Sequence, residues 1–174
     1  MRISIGGSIG SGKSTILKKL QDDSYNVFFE PIDDWNHIAK FYADKKRWSF
    51  TFQIEVLNSF TNCPDEGLVV CERSPWESYN IFSKMLVDEG DMTVDEFKLY
   101  DKVYKSIAWK PDVFIYLQTT PQTCYDRIQK RNRNISHNLR IAIHALINER
   151  FQMSKKLILL PNLSAFTTPR YLQF

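Results

Sequence analysis

Short apolar segments recur along the chain and are separated by longer segments of mixed character. The apolar segments are rich in Val, Ile, Leu and Phe: Arg2–Ile5, Asn26–Phe29, Leu68–Cys71, Val113–Leu117 and Leu157–Leu160. Runs of this length and composition predict strands that are buried on both faces.

The segments between these runs carry apolar residues at helical spacing. They are Lys13–Gln21, Trp48–Phe60, Trp76–Val87, Val94–Ala108, Pro121–Arg131 and Leu139–Lys155. Two of them have recognisable starts, because Thr93 and Glu96 fit a capping box and Thr120 precedes Pro121. Strands that alternate with helices predict an α/β fold with a parallel sheet of about five strands, covered by helices on both faces.

The composition is that of an ordinary globular domain, since 43% of the 174 residues are hydrophobic and 25% are charged. Neither a repeat nor a linker divides the chain, so we expect a single domain over residues 1–174. The net charge of +3 is too small to indicate a nucleic acid or a membrane as partner.

Three cysteines, Cys63, Cys71 and Cys124, fit neither a disulfide framework nor a metal motif. No signal peptide, transit peptide or long apolar span is apparent, because the first predicted strand begins at residue 2. These features predict a reduced, cytoplasmic protein.

The segment GSIGSGKS, residues 7–14, fits the phosphate-loop pattern G-x-x-x-x-G-K-[ST]. It lies between the first predicted strand and the first predicted helix, a context that a chance Gly/Ser-rich turn would lack. Glycines in such a loop let backbone N–H groups converge on phosphate oxygens, while the lysine reaches the β- and γ-phosphates and the next hydroxyl binds Mg²⁺. The predicted ATP site comprises Gly7, Ser8, Gly10, Ser11, Gly12, Lys13, Ser14 and Thr15.

Two predicted strands end in a carboxylate, since Glu30 follows NVFF and Glu72 follows LVVC, next to Arg73. Ligands of open parallel sheets bind beyond the carboxyl ends of the strands. Both carboxylates are therefore expected beside the phosphate loop, where they can hold Mg²⁺ or accept a proton. For each residue taken alone, a solvated strand end or a helix cap is the alternative.

The predicted helix Trp48–Phe60 carries an amide within its apolar face, because Gln53 shares that face with residues 56, 57 and 60. A buried amide needs hydrogen-bond partners. These are either groups of the core or the edge of a flat ring bound in a pocket, which Trp35, Tyr42 and Phe82 are available to line.

Three arginines, Arg127, Arg131 and Arg133, lie close together in the segment YDRIQKRNR. Residues 127 and 131 share a helix face at i, i+4. The cluster is either an exposed basic surface or a clamp on the transferring phosphoryl group. The modest net charge disfavours nuclear localisation or RNA binding.

Taken together, GSIGSGKS, EPIDDW, FYADKKRWSFTFQ, ERSPWESYNIF and DRIQKRNR resemble, in this order and spacing, the deoxyribonucleoside kinase family. The resemblance covers residues 2–133 clearly and the remainder faintly. It implies a P-loop kinase fold with an arginine lid at about residues 127–138. It also implies an enzyme that uses ATP, or another triphosphate donor, with Mg²⁺ to phosphorylate the 5′-hydroxyl of a deoxyribonucleoside.

The resemblance implies a role for the residues around the reacting groups. Glu30 would be the general base, Arg73 would hold Glu30 and the 5′-hydroxyl, and Lys13 would neutralise phosphate charge. Ser14 would bind Mg²⁺ directly, and Glu72 would organise it through water. The lid over the phosphates would consist of Arg127, Arg131 and Arg133.

The resemblance also implies a nucleoside pocket. Gln53 would pair with the base edge, Trp35 and Phe82 would sandwich the base, and Tyr42 would reach the 3′-hydroxyl. The implied nucleoside-binding residues are Trp35, Tyr42, Gln53, Val56, Phe60, Arg73, Ser78 and Phe82.

The sequence departs from the family pattern at three places, and one of them is the region from Asn134 to Glu149, which lacks much of that pattern. Family members that favour deoxycytidine and purines carry an Arg and an Asp where this chain has Phe60 and Ser78, which favours a pyrimidine enzyme that accepts thymidine. The family's acidic contact to the 3′-hydroxyl is replaced by the segment NIS near Ser136.

Two other interpretations share the phosphate loop. A nucleoside monophosphate kinase needs cations around the acceptor phosphate, whereas Glu30 suits a neutral hydroxyl. A non-catalytic nucleotide-binding module has no use for a poised base. The helices Trp76–Val87 and Val94–Ala108 carry enough apolar residues to support a homodimer, as in the family, although a monomer could bury them in its own core.

Overall fold

All five predicted strands are present, with small shifts at their ends, in the computed structural model, which describes residues 1–130 and 157–161. They are β1 (Arg2–Gly7), β2 (Asn26–Phe28), β3 (Val69–Glu72), β4 (Val113–Gln118) and β5 (Leu157–Pro161). Neighbouring strands are parallel, and their order in the sheet is β2-β3-β1-β4-β5. The predicted parallel sheet is confirmed.

The described helices follow the predicted spacing, with one addition. They are α1 (Lys13–Asp22), α2 (Ile38–Ala43), α3 (Lys45–Ser59), α4 (Pro75–Glu77), α5 (Lys84–Asp88), α6 (Val94–Ile107) and α7 (Pro121–Lys130), with 3₁₀ turns at Ile32–Asp34 and Phe60–Asn62. The short helix α2 was not predicted. The predicted helix Leu139–Lys155 lies outside the described residues.

The predicted helix Trp76–Val87 differs in its interior, because a π-helical segment, Ser78–Ser83, lies between α4 and α5. Such segments widen a helix by one residue per turn and often occur at functional sites. The capping box of α6 is confirmed, since the Glu96 N–H donates to Thr93 Oγ1 (3.2 Å) and the Thr93 N–H donates to Glu96 Oε2 (2.8 Å).

The core lies on both faces of the sheet. Leu117 of β4 packs with Ile5 and Leu17 beneath α1, and Phe114 and Tyr116 belong to a larger cluster with residues of α3 and the π-helical segment. Because successive strand residues point to opposite faces, residues 114 and 116 face away from residue 117. Helices therefore cover both faces, as predicted.

Candidate active site

A cavity of about 480 Å³ lies beyond the carboxyl ends of β1, β2 and β3. This size suits a small organic ligand. Many of the predicted site residues line it, although the sequence separates them widely: Gly10, Gly12, Lys13, Ser14, Glu30, Trp35, Tyr42, Gln53, Val56, Glu72, Arg73 and Phe82.

The loop after β1 has the backbone conformation that its glycines allow. Gly7, Gly10 and Gly12 have φ angles of 144°, 82° and 107°. A Cβ on Gly10 would lie 2.6 Å from the carbonyl oxygen of Cys124 in α7. A side chain at this position therefore meets both a strained backbone and a backbone atom that cannot move aside.

The Lys13 ammonium lies inside this loop, where its Nζ donates to the carbonyl oxygens of Gly7 (3.2 Å) and Ser8 (3.1 Å). Burial, followed by the positive charge of Arg73, lowers the pKa of Lys13 to about 8, and neighbouring carboxylates oppose this shift. Within the part of the chain that the structure describes, the hydrogen-bond partners of this buried cation are carbonyl groups, which suits it to meet an anionic ligand.

The first residues of α1 meet the end of β3. Ser14 Oγ donates to Glu72 Oε1 at 2.8 Å, and Ile5 is paired with Glu72 in the sheet. A hydroxyl and a carboxylate side by side provide the hard oxygen donors that Mg²⁺ prefers.

Glu30 and Arg73 form a buried ion pair on the cavity wall. Arg73 Nε lies 3.1 Å from Glu30 Oε1, and the two side chains are only 6% and 11% exposed. Burial raises the pKa of Glu30 despite the opposing charges of Arg73 and Lys13. A carboxylate with a raised pKa is a better proton acceptor than a solvated one.

Arg73 has a left-handed backbone, with φ of 64°, which is uncommon outside glycine. Its N–H donates to the carbonyl oxygen of Ile5 (3.1 Å), and its guanidinium lies over the ring of Phe82 at 4.7 Å from the centroid. Strain of this kind persists where surrounding contacts hold the residue, and it is common at functional sites.

Gln53 lies between the core and the cavity. Its side chain is 4% exposed and lines the cavity, and its Oε1 accepts hydrogen bonds from Ser78 Oγ (3.2 Å) and Ser83 Oγ (3.3 Å). Ser78 Oγ in turn lies 2.9 Å from the hydroxyl of Tyr100. The amide is therefore held by core hydroxyls while it faces the cavity.

Aromatic side chains form part of the cavity wall, and two of them were not predicted. The ring of Phe52 meets Trp35 edge-on (5.6 Å) and stacks on Phe41 (4.8 Å), and all three line the cavity. Phe41 lies on α2, the helix that was missed. The signal for Phe52 was its place next to Gln53, one residue along the same helix.

Some predicted residues lie behind the cavity rather than on its wall. Phe60 packs against Phe28 and Trp109, and Ser78 contacts Gln53 from the core side. Loop residues Gly7, Ser8, Ser11 and Thr15 are likewise not on the wall.

Arg127 of α7 donates to the carbonyl oxygens of Gly10 (3.4 Å) and Ser11 (3.0 Å), and it thus braces the loop. The predicted lid is described as far as residue 130, and Arg131, Arg133 and Ser136 lie outside the described residues.

Comparison with known proteins identifies the family. The family model described as deoxynucleoside kinase matches residues 3–164. The chain belongs to the deoxynucleoside kinase family. It is therefore an enzyme that transfers a phosphoryl group from ATP to the 5′-hydroxyl of a nucleoside, in nucleotide salvage. This confirms the predicted family and reaction, and it sets aside both the monophosphate kinase and the non-catalytic module.

Sequence relatives support this membership. A putative kinase protein, 029R, of invertebrate iridescent virus 3 is 38% identical over 155 residues, which are 86% of this chain and 80% of that protein. The deoxyadenosine/deoxycytidine kinase of Bacillus subtilis is 33% identical over 144 residues, or 76% of this chain and 66% of that protein. A probable deoxycytidine kinase of fowlpox virus is 32% identical, over 87% of this chain and 70% of its own length.

A solved structure supports the fold. Deoxyadenosine kinase from M. mycoides with bound dCTP superposes with a TM-score of 0.80 at 24% identity and covers 92% of this chain and 90% of that chain. No helix in the described part of the chain is long and apolar enough to cross a membrane.

Proposed function

We propose that this kinase phosphorylates thymidine or deoxycytidine, with Glu30 as the general base. The observation that carries the proposal is the buried pair of Glu30 and Arg73, which faces the same cavity as Lys13 of the phosphate loop. A carboxylate at the acceptor side suits a neutral hydroxyl, which must lose a proton on transfer.

In this mechanism Glu30 accepts the proton of the 5′-hydroxyl, and Arg73 orients both groups. The buried carboxylate has a raised pKa, so it accepts a proton more readily than a solvated glutamate does. A guanidinium cannot lose its own proton, so Arg73 is always positively charged. Its charge favours the ionised form of Glu30 before transfer. Positioning and charge neutralisation together contribute most of the rate enhancement in such a reaction.

The metal that we propose is Mg²⁺, bound with ATP or another triphosphate donor. Ser14 Oγ and Glu72 Oε1 fit it, because they are oxygen donors 2.8 Å apart beside the phosphate loop. Among residues 1–130 and 157–161, no three His, Cys, Asp or Glu side chains form a cluster that could hold a metal, so the phosphates would complete the site. When bound, Mg²⁺ neutralises charge on the transferring group.

The cations around the donor complete the proposal. Lys13 would contact the β- and γ-phosphates from within the loop. Arg127 braces the loop through the carbonyl groups of Gly10 and Ser11. Arg131 and Arg133 would form the lid over the phosphates. Residues 1–174 would form a single domain.

The nucleoside would lie between the aromatic wall and Phe82. Gln53 faces the cavity and would pair with the base edge, while Trp35 would cover a ring face and Tyr42 would reach the 3′-hydroxyl. Behind the wall, Phe60 and Ser78 are buried and uncharged at the positions where family members that favour deoxycytidine and purines carry an Arg and an Asp, which favours a pyrimidine enzyme that accepts thymidine.

The test is Glu30→Gln, assayed with ATP and Mg²⁺ on thymidine, deoxycytidine, the two purine deoxynucleosides and their monophosphates. We expect kcat to fall by about 10²–10⁴-fold on the best pyrimidine nucleoside while ATP still binds. Asp101→Asn is the matched control, because this carboxylate accepts a hydrogen bond from Tyr79 (2.8 Å) and lies outside the cavity wall. Near-normal turnover in Glu30→Gln, or activity of the wild type on monophosphates alone, contradicts the proposal.

We further propose a homodimer and a cytoplasmic location. Support for the dimer comes from Val94, Leu99 and Ile107, which are exposed apolar residues on α6, and sedimentation velocity tests it.

Support for a reducing compartment comes from Cys63 and Cys71, whose Sγ atoms lie 3.3 Å apart as free thiols, and cell fractionation tests it.

A further inference from the structure

Glu77 is a fully buried carboxylate for which the proposed mechanism has no use. It ends α4, four residues after Arg73, and its side chain has 0% exposure. Unlike Glu30 and Glu72, it does not line the cavity. Burying a carboxylate is costly unless charges and hydrogen bonds compensate, so its surroundings explain why it is tolerated.

Two hydroxyl groups hold the Glu77 carboxylate. Ser4 Oγ in the central strand β1 donates to Oε2 at 3.2 Å, and Ser74 Oγ donates to the same atom at 3.4 Å. The other oxygen, Oε1, has no hydrogen-bond partner among the described residues. Glu77 thus links the turn between β3 and α4 to the middle of the sheet.

The charges around Glu77 belong to the active site. Burial raises the pKa of Glu77 to about 7, against the attraction of the cations Arg73 and Lys13 and with the repulsion of Glu30. Tyr116 on β4 also interacts electrostatically with Glu77. Glu77 is therefore a buried acidic group that interacts electrostatically with Arg73 and Lys13 but lies off the cavity wall, so bound substrates would leave it in place.

The β3–α4 turn, which Glu77 links to the sheet, has a strained backbone. Arg73 has φ of 64°, and the next residue, Ser74, is the one that Glu77 holds. A left-handed arginine persists only if its surroundings determine its conformation. The contacts on the cavity side are Glu30 and Phe82, and those on the sheet side are the Ile5 carbonyl group and, through Ser74, Glu77.

We propose that Glu77 is a positioning residue for phosphoryl transfer, which acts by holding the β3–α4 turn so that the Arg73 guanidinium meets Glu30. The inference rests on the proposed roles of Glu30 and Arg73. It assigns to Glu77 an effect on the chemical step and none on the binding of either substrate.

The test is a double-mutant cycle with Glu77→Gln and Arg73→Ala, because two residues that act through one another show non-additive effects. Glu77→Gln is nearly isosteric and removes the charge. We expect it to lower kcat by about tenfold while both KM values stay within about twofold, since misplacement affects the transition state more than binding. In the Arg73→Ala background, Glu77→Gln should lower kcat by less than about twofold.

The inference is overturned if Glu77→Gln lowers kcat by less than about threefold, or if it lowers kcat by the same factor in the wild-type and Arg73→Ala backgrounds. If Glu77→Gln does not fold, Ser4→Ala replaces it in the same cycle, because it removes one hydrogen bond to Glu77 and keeps the charge. Asp101→Asn is the control for loss of a hydroxyl-bonded carboxylate away from the cavity. If Arg73→Ala alone leaves kcat unchanged, the proposed function fails; if only the coupling is absent, Glu77 is structural.

Discussion

Gln53 shows how a single residue serves both the core and the cavity. Its Oε1 accepts hydrogen bonds from Ser78 and Ser83, and the same amide lines the cavity. We expect Gln53→Ala to raise the nucleoside KM by about 10- to 100-fold with a smaller change in kcat, because the base edge loses its partner in a buried site. Steady-state kinetics with thymidine and deoxycytidine measure this effect.

The control at the residue scale is Ser83→Ala, since Ser83 is fully buried and does not line the cavity. It removes one partner of the amide and leaves the amide itself, so its effect on the nucleoside KM should be clearly smaller. If Gln53→Ala instead unfolds the protein and leaves KM unchanged in the folded fraction, Gln53 is a residue of the core alone.

At the scale of elements, the phosphate loop depends on its contact with α7. Gly10 approaches the Cys124 carbonyl group so closely that a Cβ would lie 2.6 Å from its oxygen. We expect Gly10→Ala to displace the loop and to raise the KM for ATP by at least about tenfold, because the backbone N–H groups no longer converge on the phosphates. Titration with ATP and thermal unfolding measure binding and stability separately.

Gly90→Ala is the matched control for this change. Gly90 also has a positive φ, 75°, but a Cβ there would meet no atom within 4 Å. Both variants carry the conformational cost of a side chain at positive φ, about 1–2 kcal/mol. Equal effects of the two variants on ATP binding would show that the contact with α7 is unimportant.

At the scale of the whole molecule, buried charges couple stability to pH. Burial raises the pKa of Glu77 from 4.5 to about 7. Between these pH values the folded protein keeps a proton that the unfolded chain releases, so the free energy of unfolding falls as pH rises from about 4.5 to 7. Glu77→Gln should remove this part of the decline, up to a few kcal/mol.

Urea unfolding of the wild type and of Glu77→Gln at a series of pH values measures this dependence. Glu30, whose pKa is also raised, contributes a decline of the same sign in both proteins, so the difference between them reports Glu77 together with its repulsion of Glu30. Equal pH slopes for the two proteins would show that Glu77 does not titrate in this range.

The amino-acid sequence by itself determined the parallel sheet, most of the helices, the phosphate loop and the two strand-end carboxylates. These features are local: strands and helices follow from the spacing of apolar residues, and the loop requires glycines at particular positions. Because parallel strands share one carboxyl edge, the proximity of Glu30 and Glu72 to the loop also followed from the sequence. The resemblance to the family motifs added the expected roles of the site residues.

Only the tertiary structure decided which side chains meet across the cavity. Helix α2 is too short for its spacing to be recognised, so Phe41 was missed. The bonds from Ser83 to Gln53 and from Ser4 to Glu77 join residues 30 and 73 positions apart, and no local pattern encodes such contacts. A buried glutamate looks like a solvated one in a sequence, because its environment is supplied by other elements of the fold.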